Sequence, residues 1–139
     1  LLVEAEAWAG HEAALSRALH AAAAAEGASG AVAVLLADNA AVAELNRRFR
    51  GKEGPTNVLS FSPAAGEAGF LGDIALAAET IAAEAENQGK RFIDHAAHLA
   101  VHGFLHLLGY DHVAPQDAEA MEARERAILA TLGIDDPYA

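Results

Sequence analysis

The run His102-Gly103-Phe104-Leu105-His106-Leu107-Leu108-Gly109-Tyr110-Asp111-His112 carries three histidines at a spacing that suits a metal ion. On a helix, residues four apart stand one turn above each other, so His102 and His106 can aim both rings at one point. Gly109 can take the positive φ that ends a helix and turns the chain back, bringing His112 to the same point. Three imidazoles converging in this way bind one divalent cation, zinc first, and leave the fourth tetrahedral corner open to water. Nickel, copper or cobalt also suit such a set. The bland alternative, histidines satisfied in a core, accounts better for one such residue on an apolar helix than for three at this spacing. The chain has no cysteine, so thiolate zinc sites and disulfides are excluded.

Other residues could serve the same site. His98 precedes His102 by one turn, and it either supports a ligand ring or faces a substrate, or is a hydrogen-bonded core histidine. His95, nearer the helix start, is expected to be partly exposed, and His11 and His20 to lie on the surface. Asp111 either orients or coordinates the ion beside His112, or caps the turn. Asp73, following Gly72 at a strand start, is read as structural or as backing a ligand. Arg47, Arg48, Arg50 and Lys52 cluster within six residues of a chain whose net charge is −11. So acidic a surface opposes indiscriminate binding to nucleic acid or anionic membranes, and any polyanion must be met by a local basic patch. A run of charge is as readily a solvated face.

The elements that must hold these residues follow from hydrophobic period and breakers. Leu1, Val3 and Ala5 alternate as a weak strand. Leu15 and Leu19 mark a helix over 10–26 that stops at Gly27 and Gly30. Ala31 to Ala37 reads as a buried strand, after which Asp38 caps a helix carrying Val42, Leu45 and Phe49. Residues 50–56 break that helix as an exposed loop. Asn57 to Phe61 and Phe70 to Leu76 read as strands joined by a hairpin connection over 62–69. Helices are expected over 77–87, 91–108 and 115–132, the last with Pro115 in its first turn. The helix over 91–108 is apolar on nearly every side and should run through the core. This order predicts a single α+β domain over 1–139, a small mixed sheet packed against several helices with a buried, histidine-bearing one at its centre. No apolar run approaches the roughly 18 residues a membrane span needs. The opening Leu1-Leu2-Val3-Glu4 has no basic leader segment, so the expectation is a soluble, cytoplasmic protein.

The spacing His-x3-His-x5-His also occurs in metzincin proteases, where the residue after the first histidine is a glutamate that activates water. Here Gly103 stands in that position, so a peptidase would have to recruit another carboxylate, such as Glu53 or Asp73. The histidine block instead resembles the signature of the YbeY family of metal-dependent endoribonucleases. Two further blocks resemble that family: Leu45-Asn46-Arg47-Arg48-Phe49-Arg50 with Pro55-Thr56-Asn57-Val58-Leu59-Ser60-Phe61, and Leu71-Gly72-Asp73-Ile74. The resemblance spans about residues 45–112. It implies an α+β fold, His102, His106 and His112 as zinc ligands at one end of a cleft, and cleavage of single-stranded RNA. It further implies maturation of the small-subunit ribosomal RNA 3′ end, ribosome quality control, and association with the small subunit, a ribosomal protein and Era-type GTPases. By the same match Arg50 corresponds to the family's functionally important arginine, able to hold a phosphate through two parallel hydrogen bonds. Its alternative is a solvated charge in the last turn of a helix. Arg47, Arg48 and Lys52 would then guide the RNA backbone, and Thr56 and Asn57 would support the loop. Two other readings stay open: a metal-dependent peptidase, and a non-enzymatic ribosome assembly factor in which the ion staples a turn.

Overall fold

Among the described residues four strands, β1 (Leu2–Val3), β2 (Ala31–Ala37), β3 (Val58–Phe61) and β4 (Phe70–Ala77), form one sheet in the order β1-β2-β4-β3. β1, β2 and β4 run parallel and β3 is antiparallel to β4, so the sheet is mixed, as predicted. The structure is a computed structural model that describes residues 2–3, 6–50, 56–62, 69–111 and 114–138. The expected loop after Arg50, most of the hairpin connection and His112 lie outside the described residues.

Among the described residues five helices accompany the sheet: α1 (Glu12–Glu26), α2 (Asn39–Arg50), α3 (Ala78–Gln88), α4 (Phe92–Leu107) and α5 (Pro115–Thr131). Their ends follow local chemistry. Gly27 and Gly89 close α1 and α3 at φ 61° and 67°, a left-handed conformation that costs glycine little. The Asp38 carboxylate accepts the Ala41 N–H at 2.8 Å and caps α2. Pro115 sits in the first turn of α5, where no N–H is missed.

The pleat divides the core. Val34, Leu36, Ile74 and Leu76 pack with α1, α4 and α5, whereas Leu35, Ala75, Ala77 and Leu59 pack with Val42 of α2. Because α2 covers only part of its face, β2 is buried at Val34, Leu36 and Ala37 while Ala31 and Ala33 remain exposed. The expectation of a wholly buried strand there is corrected accordingly. α4 is the central helix, buried from His95 to Leu105 except at His102. A short 3-10 turn, Glu6–Trp8, was not foreseen from periodicity; its indole donates to the Ala37 carbonyl at 2.8 Å and its ring packs 5.0 Å from Phe92.

Candidate active site

α4 lies against β3 and β4 with almost no space between them. A Cβ on Gly103 would stand 2.9 Å from Ser60 Oγ and 3.2 Å from Ile74, and Ser60 Oγ donates to the Gly103 carbonyl at 3.0 Å. Glycine at this position therefore lets the helix seat on the sheet. No carboxylate fits where a metzincin carries its base. One turn of the same helix opens His102 and His106 into a cleft of about 530 Å³ walled by Asn46, Thr56, Ser60 and Ser62.

The two imidazoles converge. His102 Nε2 and His106 Nε2 are 3.2 Å apart and the ring centroids 4.7 Å apart. With metal–nitrogen bonds of about 2.0–2.1 Å, neighbouring corners of a tetrahedron stand about 3.3–3.4 Å apart, so the pair fits two corners of a zinc-like site. The same distance suits one ring donating to the other. The third expected ligand, His112, is outside the described residues. Among the described residues no group of three or more metal-ligating side chains is assembled.

Behind the pair lies a buried polar cluster. Glu125 of α5 is 0% exposed, and His98 Nε2 approaches one of its carboxylate oxygens at 2.5 Å. Tyr138 donates to that oxygen at 2.8 Å, and His102 Nδ1 stands 3.4 Å from both carboxylate oxygens. Burial alone would raise the Glu125 carboxyl, but hydrogen bonds from His102 and His98 and their charge prevail and hold it at about 2. Burial, followed by the charge of Glu125, pushes the Tyr138 phenol upward, so it stays a donor.

The other candidates are distributed as follows. His98 is buried and joins the Glu125 cluster. His95 is 4% exposed, not partly exposed as predicted, because α4 turns it toward α3, where its Nε2 meets Glu84 at 2.9 Å. Glu84 also accepts from Asn57 Nδ2 at 3.0 Å and so ties α3 to the start of β3. Asp73 does not reach the cleft: it alternates with Gly72 and Ile74, which face α4, and lies exposed in the groove on the opposite face with Phe49 and Phe61. Asp111 is exposed just beyond α4. Arg47 is engaged by Glu44 at 2.6 Å and the Arg48 guanidinium lies 5.5 Å from the centre of the Phe49 ring, both on the exposed side of α2. Arg50 is the last residue of α2, and Lys52 falls outside the described residues. His20 is exposed, and His11 packs half-buried 5.3 Å from Phe92. Glu125 was missed by sequence reasoning. Its signal is a glutamate in the stripe Met121, Glu125, Ile128 and Leu129, whose other members are apolar and buried.

Together these features define a class: a small α+β protein whose central helix opens paired imidazoles, backed by an ionised carboxylate, into a polar cleft. A family model described as endoribonuclease YbeY matches residues 4–133. The chain belongs to that family, and with it to the hydrolases that act on RNA. An endoribonuclease YbeY of Methylocella silvestris is 57% identical over 77% of this chain and 62% of its own length. One of Rhodopseudomonas palustris is 52% identical over 100% of this chain and 80% of its own. A solution structure from Thermotoga maritima shares the fold, with a TM-score of 0.65 at 23% identity, over 95% of this chain and 90% of that one.

Proposed function

We propose that this chain is a zinc-dependent, single-strand-specific endoribonuclease that matures the 3′ end of the small-subunit ribosomal RNA and takes part in ribosome quality control. The observation that carries the reading is the pair of Nε2 atoms 3.2 Å apart at one wall of an open polar cleft, in a chain of the endoribonuclease YbeY family. His102, His106 and His112 would hold one divalent cation. Such a cation, if bound there, would supply hydroxide near neutral pH and polarise a phosphoryl oxygen. Arg50, ending α2 close in sequence to the cleft residue Asn46, would pair with the scissile phosphate and stabilise the charge that grows on it. Arg47, Arg48 and Lys52 would meet flanking phosphates. The whole chain would act as one metallohydrolase domain, in the cytoplasm, on the small subunit, with a ribosomal protein or an Era-type GTPase as partner. No described helix is long and apolar enough to cross a membrane.

The peptidase reading has less behind it: Gly103 is packed against β3 and β4, Asp73 lies on the far face of the sheet, and Glu53, the other candidate base, is outside the described residues. The test uses two variants on a purified single-stranded RNA. His102→Ala should lose both the metal, by elemental analysis, and cleavage. Arg50→Glu should retain metal and the far-ultraviolet dichroism of the fold, yet cut at least 100-fold more slowly, on the order of one lost charge-stabilising contact. Full activity of both variants would refute the proposal.

A further inference from the structure

Glu125 is the one buried carboxylate among the described residues, and nothing in the proposed reaction uses it. A carboxylate in the interior needs donors, and among the described residues three groups face this one: His98 Nε2 at 2.5 Å, the Tyr138 hydroxyl at 2.8 Å and His102 Nδ1 at 3.4 Å. The first two both hold its Oε1. His98 Nδ1 is buried and has no partner among the described residues. A bare lone pair costs less there than an orphaned N–H, so the His98 proton belongs on Nε2, aimed at Glu125. Tyr138 is itself held by the tail that follows α5. Its backbone N–H donates to Asp136 at 2.8 Å, Asp136 accepts from Arg126 at 3.1 Å, and Lys90 Nζ reaches the Pro137 carbonyl at 3.3 Å. The carboxylate is thus fixed before it meets His102.

We infer that Glu125 is a positioning residue for the metal ligand His102, held by the 136–138 tail: its carboxylate keeps the proton on Nδ1 and leaves the Nε2 lone pair facing His106 and the cleft. The separation of 3.4 Å is long for a hydrogen bond, but a buried negative charge that can only accept still decides between the two tautomers of the ring facing it. Between the two imidazoles, the 3.2 Å contact then has a lone pair on the His102 side, as a cation requires and as direct donation from His102 to His106 would forbid. The tail enters the same chain of contacts, since removing the Tyr138 hydroxyl frees one side of the carboxylate. This inference rests on the metal centre of the proposed function, which its test can fail separately.

The test compares wild type with Glu125→Gln and Tyr138→Phe, using zinc alone as the probe in competition with a chromophoric chelator. An amide can turn its NH2 toward His102 and favour the other tautomer, so Glu125→Gln should weaken zinc by about 10- to 100-fold, the usual cost of losing a ligand's outer partner. Tyr138→Phe should weaken it less, by about 2- to 10-fold. Nitrogen-15 spectra of the zinc-free wild type should show His102 protonated at Nδ1 and bare at Nε2, a signature that a merely structural glutamate would not produce. Zinc affinity unchanged within twofold in folded Glu125→Gln, or wild-type His102 carrying its proton on Nε2, overturns the inference. If Glu125→Gln does not fold, an unchanged zinc affinity in Tyr138→Phe or an Nε2 proton on wild-type His102 overturns it instead. Wild type that binds no zinc fails the metal centre itself, a result seen before any variant is compared.

Discussion

Four histidines stand on one stripe of α4, yet their surroundings give each a different role. His95 meets Glu84 across α3, His98 is tied to Glu125 and Tyr138, and His102 and His106 open to the cleft. His95 provides a clean pH test because it touches neither cleft histidine. Burial holds its pKa below 6.5, against the opposing pull of the Glu84 hydrogen bond and charge, with His98 and Lys90 adding to the lowering. In the unfolded chain the ring takes its proton near 6.5; in the native chain it does so at lower pH. Between those values the unfolded state binds more protons, so this contribution is intact above 6.5 and is lost as pH falls through the native value. At pH 7.5, His95→Asn should cost about 1–3 kcal/mol, through the lost hydrogen bond and the imperfect filling of the site. Acidification to pH 5.5 should destabilise wild type more than the variant, so the gap narrows. Urea unfolding of both proteins at the two pH values measures it, and a gap that widens in acid would contradict the assignment.

At the scale of elements, the site depends on how closely α4 lies on the sheet. Gly72 of β4 has φ 140°, and a Cβ there would stand 2.5 Å from the Phe61 carbonyl oxygen and 2.6 Å from Leu107 at the end of α4. Gly109, just past α4 at φ 102°, has nothing among the described residues within 4 Å of such a Cβ. Gly72→Ala combines backbone strain with a collision against main chain and should cost about 3–5 kcal/mol, whereas Gly109→Ala carries strain alone, about 1–2 kcal/mol. Thermal unfolding of the two variants should rank them in that order, and equal losses would show that α4 can shift away from β4. The order of elements was legible in the sequence because period and punctuation are local: Gly27, Gly89 and Pro115 mark helix ends wherever the helices later pack. The half-exposed face of β2, the burial of His95 and the position of Asp73 were not, because each depends on which helix covers which side of the sheet. Glu125 was hidden for the same reason. It lies 13 positions beyond His112 on another helix, and only the packing of α4 on α5 makes it a neighbour of His102.

For the whole molecule the question is how a chain of net charge −11 meets an RNA backbone. Its candidate contacts are confined to Arg47, Arg48, Arg50 and Lys52, of which Arg47 already shares an ion pair of 2.6 Å with Glu44. The pair is half-exposed, so breaking it costs little, but it removes one free cation from the encounter. Each phosphate neutralised on a single strand contributes about 0.7 to the slope of log affinity against log salt, so four cations bound the slope at about −3. Raising salt from 50 to 200 mM should therefore weaken binding of a single-stranded RNA by roughly 15- to 50-fold, far less than for a broadly basic nucleic-acid binder. The measurement is fluorescence anisotropy with His102→Ala, which removes cleavage while keeping the basic patch. Arg48→Ala and Arg50→Ala in that background should each flatten the slope by about 0.7, and Glu44→Gln, by releasing Arg47, should steepen it by a similar amount. A slope near −6, or one indifferent to these substitutions, would mean that the backbone is read elsewhere on the surface. It would also separate binding from the cleft that α2 and α4 share.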